Sequence, residues 1–222
     1  MKILIISDIH SNFEALKVVE PYIKNSDISI CLGDIVGYYC QVNEVIDFLK
    51  KNQVICILGN HDDYVIKNEN MKNYNESVAF GIKYAKKNIN NANLNWLKSL
   101  RQNYELIYNN KKMFFCHANP WNNYEYLYPN NPLFEKTSKL EYDLIAFGHT
   151  HRAFFSKNHQ NKIIINPGSI GQSREIPCYA EFAIFNTEIN EITKYNIKYD
   201  FTELINLALK NGAESFIYKH LQ

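Results

Sequence analysis

The sequence predicts an α/β fold, a four-layer α/β/β/α sandwich of two mixed β-sheets packed on each other and flanked by helices. Residues 2–62 alternate short apolar runs with amphipathic segments, which is typical of parallel strands joined by helical crossovers. From Tyr104 onward the chain is instead rich in strand candidates. A second sheet should therefore follow the first.

The elements of the first half follow from caps and apolar spacing. After a strand that starts at Lys2, Ser11 or Asn12 can cap a helix whose apolar positions continue to Ile23. A second helix should follow Asn43. Residues 64–101 read as a helical insertion with helices over 76–87 and 93–100, the latter capped by Asn93.

The second half predicts strands over 104–108, 112–116, 144–147, 153–157, 162–166, 179–186 and 191–199. The last of these alternates polar and less polar positions, as a half-exposed antiparallel strand does. A helix should then run from Thr202 to Lys210 and end at Asn211-Gly212, before a short helical tail.

Composition favours a single domain over residues 1–222, because a chain of 222 residues that is 46% hydrophobic can bury a large core. Its 24 basic and 23 acidic residues nearly cancel, so there is no strong nucleic-acid signal. No apolar run approaches the ~20 residues that span a bilayer, and we expect no membrane partner. The sequence does not distinguish a monomer from a homo-oligomer.

The five cysteines are odd in number, and three of them lie inside apolar runs, where they read as small buried hydrophobes. This pattern fits a reducing compartment. We therefore expect a cytoplasmic protein.

Five apolar runs each end in Asp, Asn or His. Ligands of α/β sheets bind outside the carboxyl ends of the strands, so these polar residues should share one rim. The set is Asp8, His10, Asp34, Asn60, His61, His117, His149 and His151. Mixed imidazole and carboxylate ligands suit Mn, Fe, Co or Zn better than Ca or Mg. The rim is therefore a predicted metal site.

The number of ligand candidates exceeds what one ion requires, so two ions sharing a bridging carboxylate are expected. Two metals roughly 3.5–4 Å apart are the usual arrangement for in-line displacement at phosphorus. The site therefore points to phosphoester hydrolysis.

These residues resemble the motifs of the calcineurin-like metallophosphoesterases, specifically the small bacterial and archaeal phosphodiesterase type. The match runs in the family's order over residues 2 to about 185, through Asp8-Ile9-His10, Gly33-Asp34, Gly59-Asn60-His61-Asp62, His117 and Gly148-His149-Thr150-His151. Single blocks such as Gly-Asp are weakly specific, but the five together are highly specific.

The resemblance implies a role for each motif residue. It assigns Asp8, His10, Asp34 and His151 to the first ion and Asp34, Asn60, His117 and His149 to the second, with Asp34 as the bridge. It makes His61 the proton donor to the leaving oxygen, after attack by a hydroxide held between the ions. The expected cofactor is two Mn ions, with Fe, Co, Ni or Zn as alternatives.

Substrate contacts are expected from Arg174, Trp121 and Tyr124. Trp121 and Tyr124 belong to an aromatic loop, 118–140, which could stack a nucleobase or be an ordinary packed loop. The sequence does not decide whether the turn 166–171 faces the substrate or has a purely structural role. Asp62 and Asp63 should fix their loop through backbone N–H groups.

The expected function is hydrolysis of small, nucleotide-like phosphodiesters. One alternative is asymmetric hydrolysis of dinucleoside polyphosphates. The other is a non-catalytic scaffold like the retromer subunit of this fold, which lacks the catalytic histidine that His61 resembles here. The sequence Ile35-Val36-Gly37-Tyr38 replaces the Asp-Arg of the protein Ser/Thr phosphatases and of symmetrical diadenosine tetraphosphate hydrolases, which argues against both.

Overall fold

Two mixed five-stranded β-sheets form the centre of the molecule in the computed structural model, which describes residues 1–157 and 161–213. In chain order the strands are β1 (Lys2–Ile6), β2 (Ile28–Cys31), β3 (Ile55–Cys56), β4 (Asn103–Tyr108), β5 (Lys111–Cys116), β6 (Leu144–Ala146), β7 (Phe154–Lys157), β8 (Ile163–Asn166), β9 (Tyr179–Asn186) and β10 (Glu191–Lys198). The first sheet has the order β10-β9-β1-β2-β3 and the second β4-β5-β6-β8-β7.

Each sheet combines a parallel centre with antiparallel additions. β1, β2 and β3 are parallel, and β9 and β10 add antiparallel next to β1. β5, β6 and β8 are likewise parallel, with β4 and β7 antiparallel at the two edges. The parallel strands of each sheet therefore end along one edge.

The helices are α1 (Phe13–Lys17), α2 (Glu20–Lys24), α3 (Val42–Lys51), α4 (Asn60–Ile66), α5 (Glu76–Asn88), α6 (Asn91–Lys98), α7 (Pro132–Thr137) and α8 (Thr202–Lys210), with a 3₁₀ turn over Met71–Asn73. None of the helices in the described ranges is both long and apolar enough to cross a bilayer.

The core has a layer on each face of the first sheet, because β1 is buried on both faces. Ile3 and Ile5 belong to the cluster between the sheets, with Met113 and Phe115 of β5. Leu4 instead belongs to the cluster formed with the helices. This arrangement confirms the predicted four-layer sandwich and explains why β1 reads as a continuous apolar run.

The prediction of one continuous helix up to Ile23 is wrong. The structure has two short helices there, since α1 ends at Lys17 and α2 begins at Glu20. Pro21 has no N–H to donate to the Lys17 carbonyl, so one continuous helix would lack that bond. The cap at Asn12 is confirmed, because its side chain accepts the Ala15 N–H.

Two predicted caps are wrong, because Asn43 and Asn93 lie inside helices. α3 begins at Val42, and the Asn90 side chain caps α6 by accepting the Asn93 N–H. The Asn43 Oδ1 accepts the Asn90 N–H at 3.0 Å, and the Asn93 Oδ1 accepts from Lys50 Nζ at 3.0 Å. These asparagines therefore join the helical insertion to α3.

The predicted strands of the second half and α8 are confirmed to within two residues at each end. The short helices α4 and α7 were not predicted. The tail after residue 213, with His220, and His159 lie outside the described residues.

Candidate metal centre

The predicted metal ligands meet where the strands of both sheets end. Asp8 and His10 follow β1, Asp34 follows β2, and Asn60 opens α4 after β3. From the second sheet, His117 follows β5, and His149 and His151 follow β6. All seven, and His61 beside them, are at most 6% exposed.

A first group consists of Asp8, His10, Asp34 and His151, whose ligand atoms lie within 4.8 Å of one another. The two Nε2 atoms of His10 and His151 are 2.9 Å apart. The Asp34 Oδ2 lies 3.7 Å from the His10 Nε2, and the Asp8 Oδ1 lies 3.5 Å from the His151 Nε2.

A second group consists of Asp34, His117 and His149, again within 4.8 Å. The Asn60 Oδ1 lies 2.8 Å from the His117 Nε2, so Asn60 joins this group. The Asp34 Oδ1 lies 3.4 Å from the same nitrogen. Asp34 therefore belongs to both groups, one oxygen facing each.

Backbone carbonyls orient all four imidazoles. The Nδ1 atoms of His10, His117 and His151 lie 2.9–3.2 Å from the carbonyls of Val36, Leu32 and Gln172, respectively, and the His149 Nε2 lies 3.2 Å from that of Tyr124. Donation to a carbonyl leaves the other ring nitrogen bare and turned inward, which is how metal-binding histidines are usually held.

The atoms of the first group fit a cation better than they fit each other. If His10 and His151 both donate from Nδ1, their Nε2 lone pairs face each other at 2.9 Å without a proton between them. The Asp8 Oδ1 is buried and has no hydrogen-bond partner among the described residues. A divalent cation that accepts nitrogen and oxygen ligands satisfies all three atoms.

The pKa values of His10, His149 and His151 agree with this fit. Burial lowers the pKa of His149 to about 3 and holds those of His10 and His151 well below the ordinary value, so these rings are neutral. Burial raises the pKa of Asp8 to about 7. Burial alone would lower the pKa of His117, but Asp34 outweighs it and raises that pKa to about 9.

The loops that carry these residues have unusual backbone. Asp8, His10, Asp34, His149 and His151 all have φ between 52° and 66°. Such left-handed conformations are uncommon for residues other than glycine and cluster at functional sites. Gly33, with φ of 98°, passes so close to Gly59 that an added Cβ would lie 2.6 Å from the Gly59 nitrogen.

His61 lies beside the metal ligands without joining either group. Its Nε2 is 4.0 Å from the Asp34 Oδ2, and its ring stacks on Tyr38 at 5.1 Å. The ring fits closely because position 37 is glycine: a Cβ there would lie 2.4 Å from the His61 Nδ1. His61 is thus fixed at the edge of the centre, facing the cavity.

A cavity of about 230 Å³ opens onto both ligand groups. Its walls carry Tyr38, Tyr64, Tyr74, Val78, Tyr124, Tyr126 and Arg174. The Arg174 guanidinium carbon lies 6.0 Å from the centroid of the Tyr126 ring, and the guanidinium interacts electrostatically with Tyr126 and Tyr38. Tyr126 in turn stacks on His149 at 4.1 Å.

Of the three predicted substrate-binding residues, Arg174 and Tyr124 line this cavity. Trp121 does not: it is 48% exposed and lines a separate cleft with Asn119 and Pro120. The prediction for Trp121 is therefore corrected. The Asn119 side chain accepts the N–H groups of Trp121 and Asn122, so Trp121 lies in a turn between His117 and Tyr124.

The turn 166–171 supports the centre and does not face the cavity. The Ser169 hydroxyl and the Gly171 N–H both donate to the Asp8 carbonyl, at 2.8 and 2.9 Å. Asp62 acts as predicted, accepting the N–H groups of Ile35 and Val36 at 3.0 Å each. Asp63 instead bonds the Tyr124 hydroxyl.

Sequence reasoning did not assign Tyr38, Tyr64 or Tyr74 to the site, and it included Tyr126 only as part of the aromatic loop 118–140. The signal available for Tyr38 and Tyr64 was their position, four residues after Asp34 and Asn60 respectively. Tyr74 and Tyr126 lie in loops, and no spacing pattern points to them.

Comparison with known proteins identifies relatives along most of the chain. Residues 1–190 match the calcineurin-like phosphoesterase superfamily domain. An uncharacterized protein of Methanocaldococcus jannaschii is 35% identical over 239 residues, covering 99% of this chain and 96% of that protein.

Solved structures share the fold. A metallophosphoesterase from Sphaerobacter thermophilus has a TM-score of 0.84 at 25% identity, covering 100% of this chain and 98% of that chain. An archaeal phosphodiesterase has a TM-score of 0.55 at 20% identity, covering 89% and 100%.

Proposed function

The chain belongs to the calcineurin-like phosphoesterase superfamily, and we propose that it is a phosphodiesterase that hydrolyses small, nucleotide-like diesters with two divalent metal ions, Mn first among them. Phosphoester hydrolysis is the activity that the family and the buried Asp and His groups support together.

The observation that carries the proposal is the pair of ligand groups that share Asp34. When bound, two divalent ions lower the pKa of water that attacks phosphorus and offset the charge that grows on the phosphoryl oxygens. Asp8, His10, Asp34 and His151 would hold one ion, and Asp34, Asn60, His117 and His149 the other.

His61 and Arg174 provide the remaining chemistry. His61 faces the cavity beside Asp34 and donates a proton to the departing oxygen, a contribution of typically ~10²–10⁴-fold. Arg174 lies beside Tyr38 and Tyr126, lines the cavity with residues of both ligand groups, and donates to a phosphoryl oxygen.

The walls of the cavity favour a diester over a monoester. Apart from the Asp, Asn and His residues of the centre, they present five tyrosines, a valine and one cation, Arg174. A diester carries a single negative charge and two organic groups, which matches one cation and much aromatic surface. A monoester dianion would leave most of that surface without a contact.

The four buried cysteines, Cys31, Cys40, Cys56 and Cys116, carry free thiols, which is consistent with the proposed cytoplasmic location. The proposed partner is a small phosphoester, with no membrane or polynucleotide.

We test the proposal with phosphomonoesters, phosphodiesters and dinucleoside polyphosphates, assayed with added Mn²⁺ and with EDTA-stripped protein as the control. We expect Mn²⁺-dependent hydrolysis of diesters. His61→Ala should lose about 10²-fold or more in kcat and keep its metal, whereas Asp34→Ala should lose the metal as well. Metal content is measured by elemental analysis.

Equal hydrolysis of a poor-leaving-group diester by His61→Ala and the parent protein would remove the proton-donor role. Absence of bound metal after reconstitution would remove the whole proposal.

Asymmetric hydrolysis of dinucleoside polyphosphates is the second candidate, favoured by the 44% exposed Tyr124 ring in the cavity, on which an adenine could stack. Unequal products from a diadenosine polyphosphate, formed faster than any diester is cleaved, would select it. A non-catalytic scaffold has no observation in its favour, since His61 is present and faces the cavity.

A further inference from the structure

One wall of the cavity consists of three tyrosines next to the proton donor. The Tyr64 ring lies 5.9 Å from the His61 ring, 5.0 Å from the Tyr74 ring and 6.3 Å from the Tyr124 ring. Val78 completes this wall. We call Tyr64, Tyr74, Tyr124 and Val78 the tyrosine wall.

Contacts with helix α4 hold the Tyr124 ring of the tyrosine wall in place. The Tyr124 hydroxyl donates to the Asp63 carboxylate, which also pairs with Lys67 Nζ at 2.7 Å. Tyr124 sits on the aromatic loop, so this contact ties the loop to α4, which carries His61. The ring is therefore positioned before a substrate arrives.

The tyrosine wall is uncharged toward the cavity. Its four members carry no ionised group, and the nearby Lys67 is neutralised by Asp63. By contrast, Arg174 lies beside Tyr38 and Tyr126, which are not part of this wall. The cavity thus has two distinct parts. Arg174 provides a cationic part for the phosphoryl group, and the tyrosine wall provides a neutral aromatic part.

We infer that the tyrosine wall receives the leaving group and selects one that is planar, aromatic and uncharged, such as an aryl group or a nucleoside. The inference rests on the proposed function, in which His61 protonates the leaving oxygen, so the group attached to that oxygen lies next to Tyr64. Planar aromatic rings gain π-stacking energy on tyrosine faces, which puckered saturated rings do not gain.

The test uses two phosphonates with the same charge and nearly the same size, benzylphosphonate and cyclohexylmethylphosphonate. Neither has an ester bond to hydrolyse, and only the first has a planar ring. Their dissociation constants for the Mn²⁺-loaded protein are measured by calorimetry, and their inhibition constants with a chromogenic diester. We expect benzylphosphonate to bind about tenfold more tightly.

Variants test whether the preference for benzylphosphonate comes from the tyrosine wall. Tyr124→Ala and Tyr64→Ala should bring the ratio of the two dissociation constants close to one. Tyr124→Phe keeps the ring and should keep most of the preference. Phe155→Ala removes an aromatic ring that is 40% exposed on β7, away from the cavity, and should leave the ratio unchanged. Thermal unfolding checks that each variant is folded.

Equal binding of the two phosphonates by the parent protein, with diester hydrolysis intact, would overturn the leaving-group inference alone. So would a preference that survives in both alanine variants. If neither phosphonate binds and no diester is hydrolysed, the proposed function fails and this inference fails with it.

Discussion

Asp34 is the residue on which the centre depends most, because its two carboxylate oxygens serve different neighbours. One oxygen lies 3.4 Å from the His117 Nε2 and accepts the His61 N–H at 2.8 Å, and the other lies 3.7 Å from the His10 Nε2. Burial would raise its pKa, but His117 and His61 outweigh it, and the pKa stays well below the ordinary value. The bridge is therefore ionised before any metal binds.

The sequence was sufficient to predict which polar residues meet, because each of them follows an apolar run and parallel strands end along one edge. It was not sufficient to predict the cavity wall. Tyr74 and Tyr126 reach the centre only through loop conformations, which have no periodic pattern. Trp121 was misplaced for the same reason, since the turn at Asn119 is a local hydrogen-bond effect.

Glu181, on β9, gives a prediction about pH and stability away from the metal ligands. Burial raises its pKa from 4.5 to about 7. The folded state therefore binds more protons than the unfolded state between these values, and stability is lost as the pH rises through that window. We expect Glu181→Gln to remove this loss, roughly 2–3 kcal/mol between pH 5 and pH 8.

The measurement is urea unfolding at both pH values. The exposed Glu203→Gln is the control and should keep the pH dependence of the parent protein. An unchanged pH dependence in Glu181→Gln would show that this carboxyl ionises normally in the fold.

Helix α4 is the element that joins the metal centre to the cavity, since it begins at Asn60 and carries His61 and Tyr64. Its start is set by Asp62, whose carboxylate accepts the N–H groups of Gly59, Ile35 and Val36 at 2.9–3.0 Å. The sequence did not predict this helix because only seven residues form it, too few for a helical period to show.

The other errors in the predicted helices have two causes, short length and tertiary contacts. α1 and α2, of five residues each, are separated near Pro21, and the starts of α3 and α6 are displaced because Asn43 and Asn93 are used for tertiary contacts. The longer α5 and α8, whose patterns extend over several turns, were predicted closely.

Asp62→Ala should destabilise the protein by about 3 kcal/mol or more, because three buried N–H groups lose their acceptor at ~1–3 kcal/mol each. Asp62→Asn keeps one oxygen and should cost less. The measurement is the free energy of unfolding in urea. Asp47→Ala, at a 61% exposed side chain, is the control and should change it by less than about 0.5 kcal/mol. Similar losses for Asp62→Ala and Asp47→Ala would contradict the role of Asp62.

At the scale of the whole molecule, the centre joins the two sheets. Asp8 and Asp34 extend from the first sheet, whereas His117 and His151 extend from the second. Direct bonds already cross this boundary, since the His149 N–H donates to the Asp8 carboxylate at 2.9 Å. Metal ions bound here would strengthen that connection.

Metal removal should therefore lower the stability of the whole fold. Free Mn²⁺ at about 100 times its dissociation constant adds ~2.7 kcal/mol per site. For a chain of this size the Tm should rise by roughly 5–10 °C for one site relative to EDTA-treated protein, measured by calorimetry. His61→Ala should keep the rise and Asp34→Ala should lose it. A rise that persists in Asp34→Ala would place the ions elsewhere.

The position of β1 beside β9 also determines when the protein can acquire its structure during synthesis. Lys2 pairs with Asn186, so β1 cannot complete its pairing until β9, which is synthesised much later, is available. His151, needed for the first ligand group, is also made late. A nascent chain thus leaves the β9-pairing edge of β1 uncovered until β9 has been made, and such exposed strands are prone to aggregation. Slower translation of the codons between β1 and β9 would prolong that exposure.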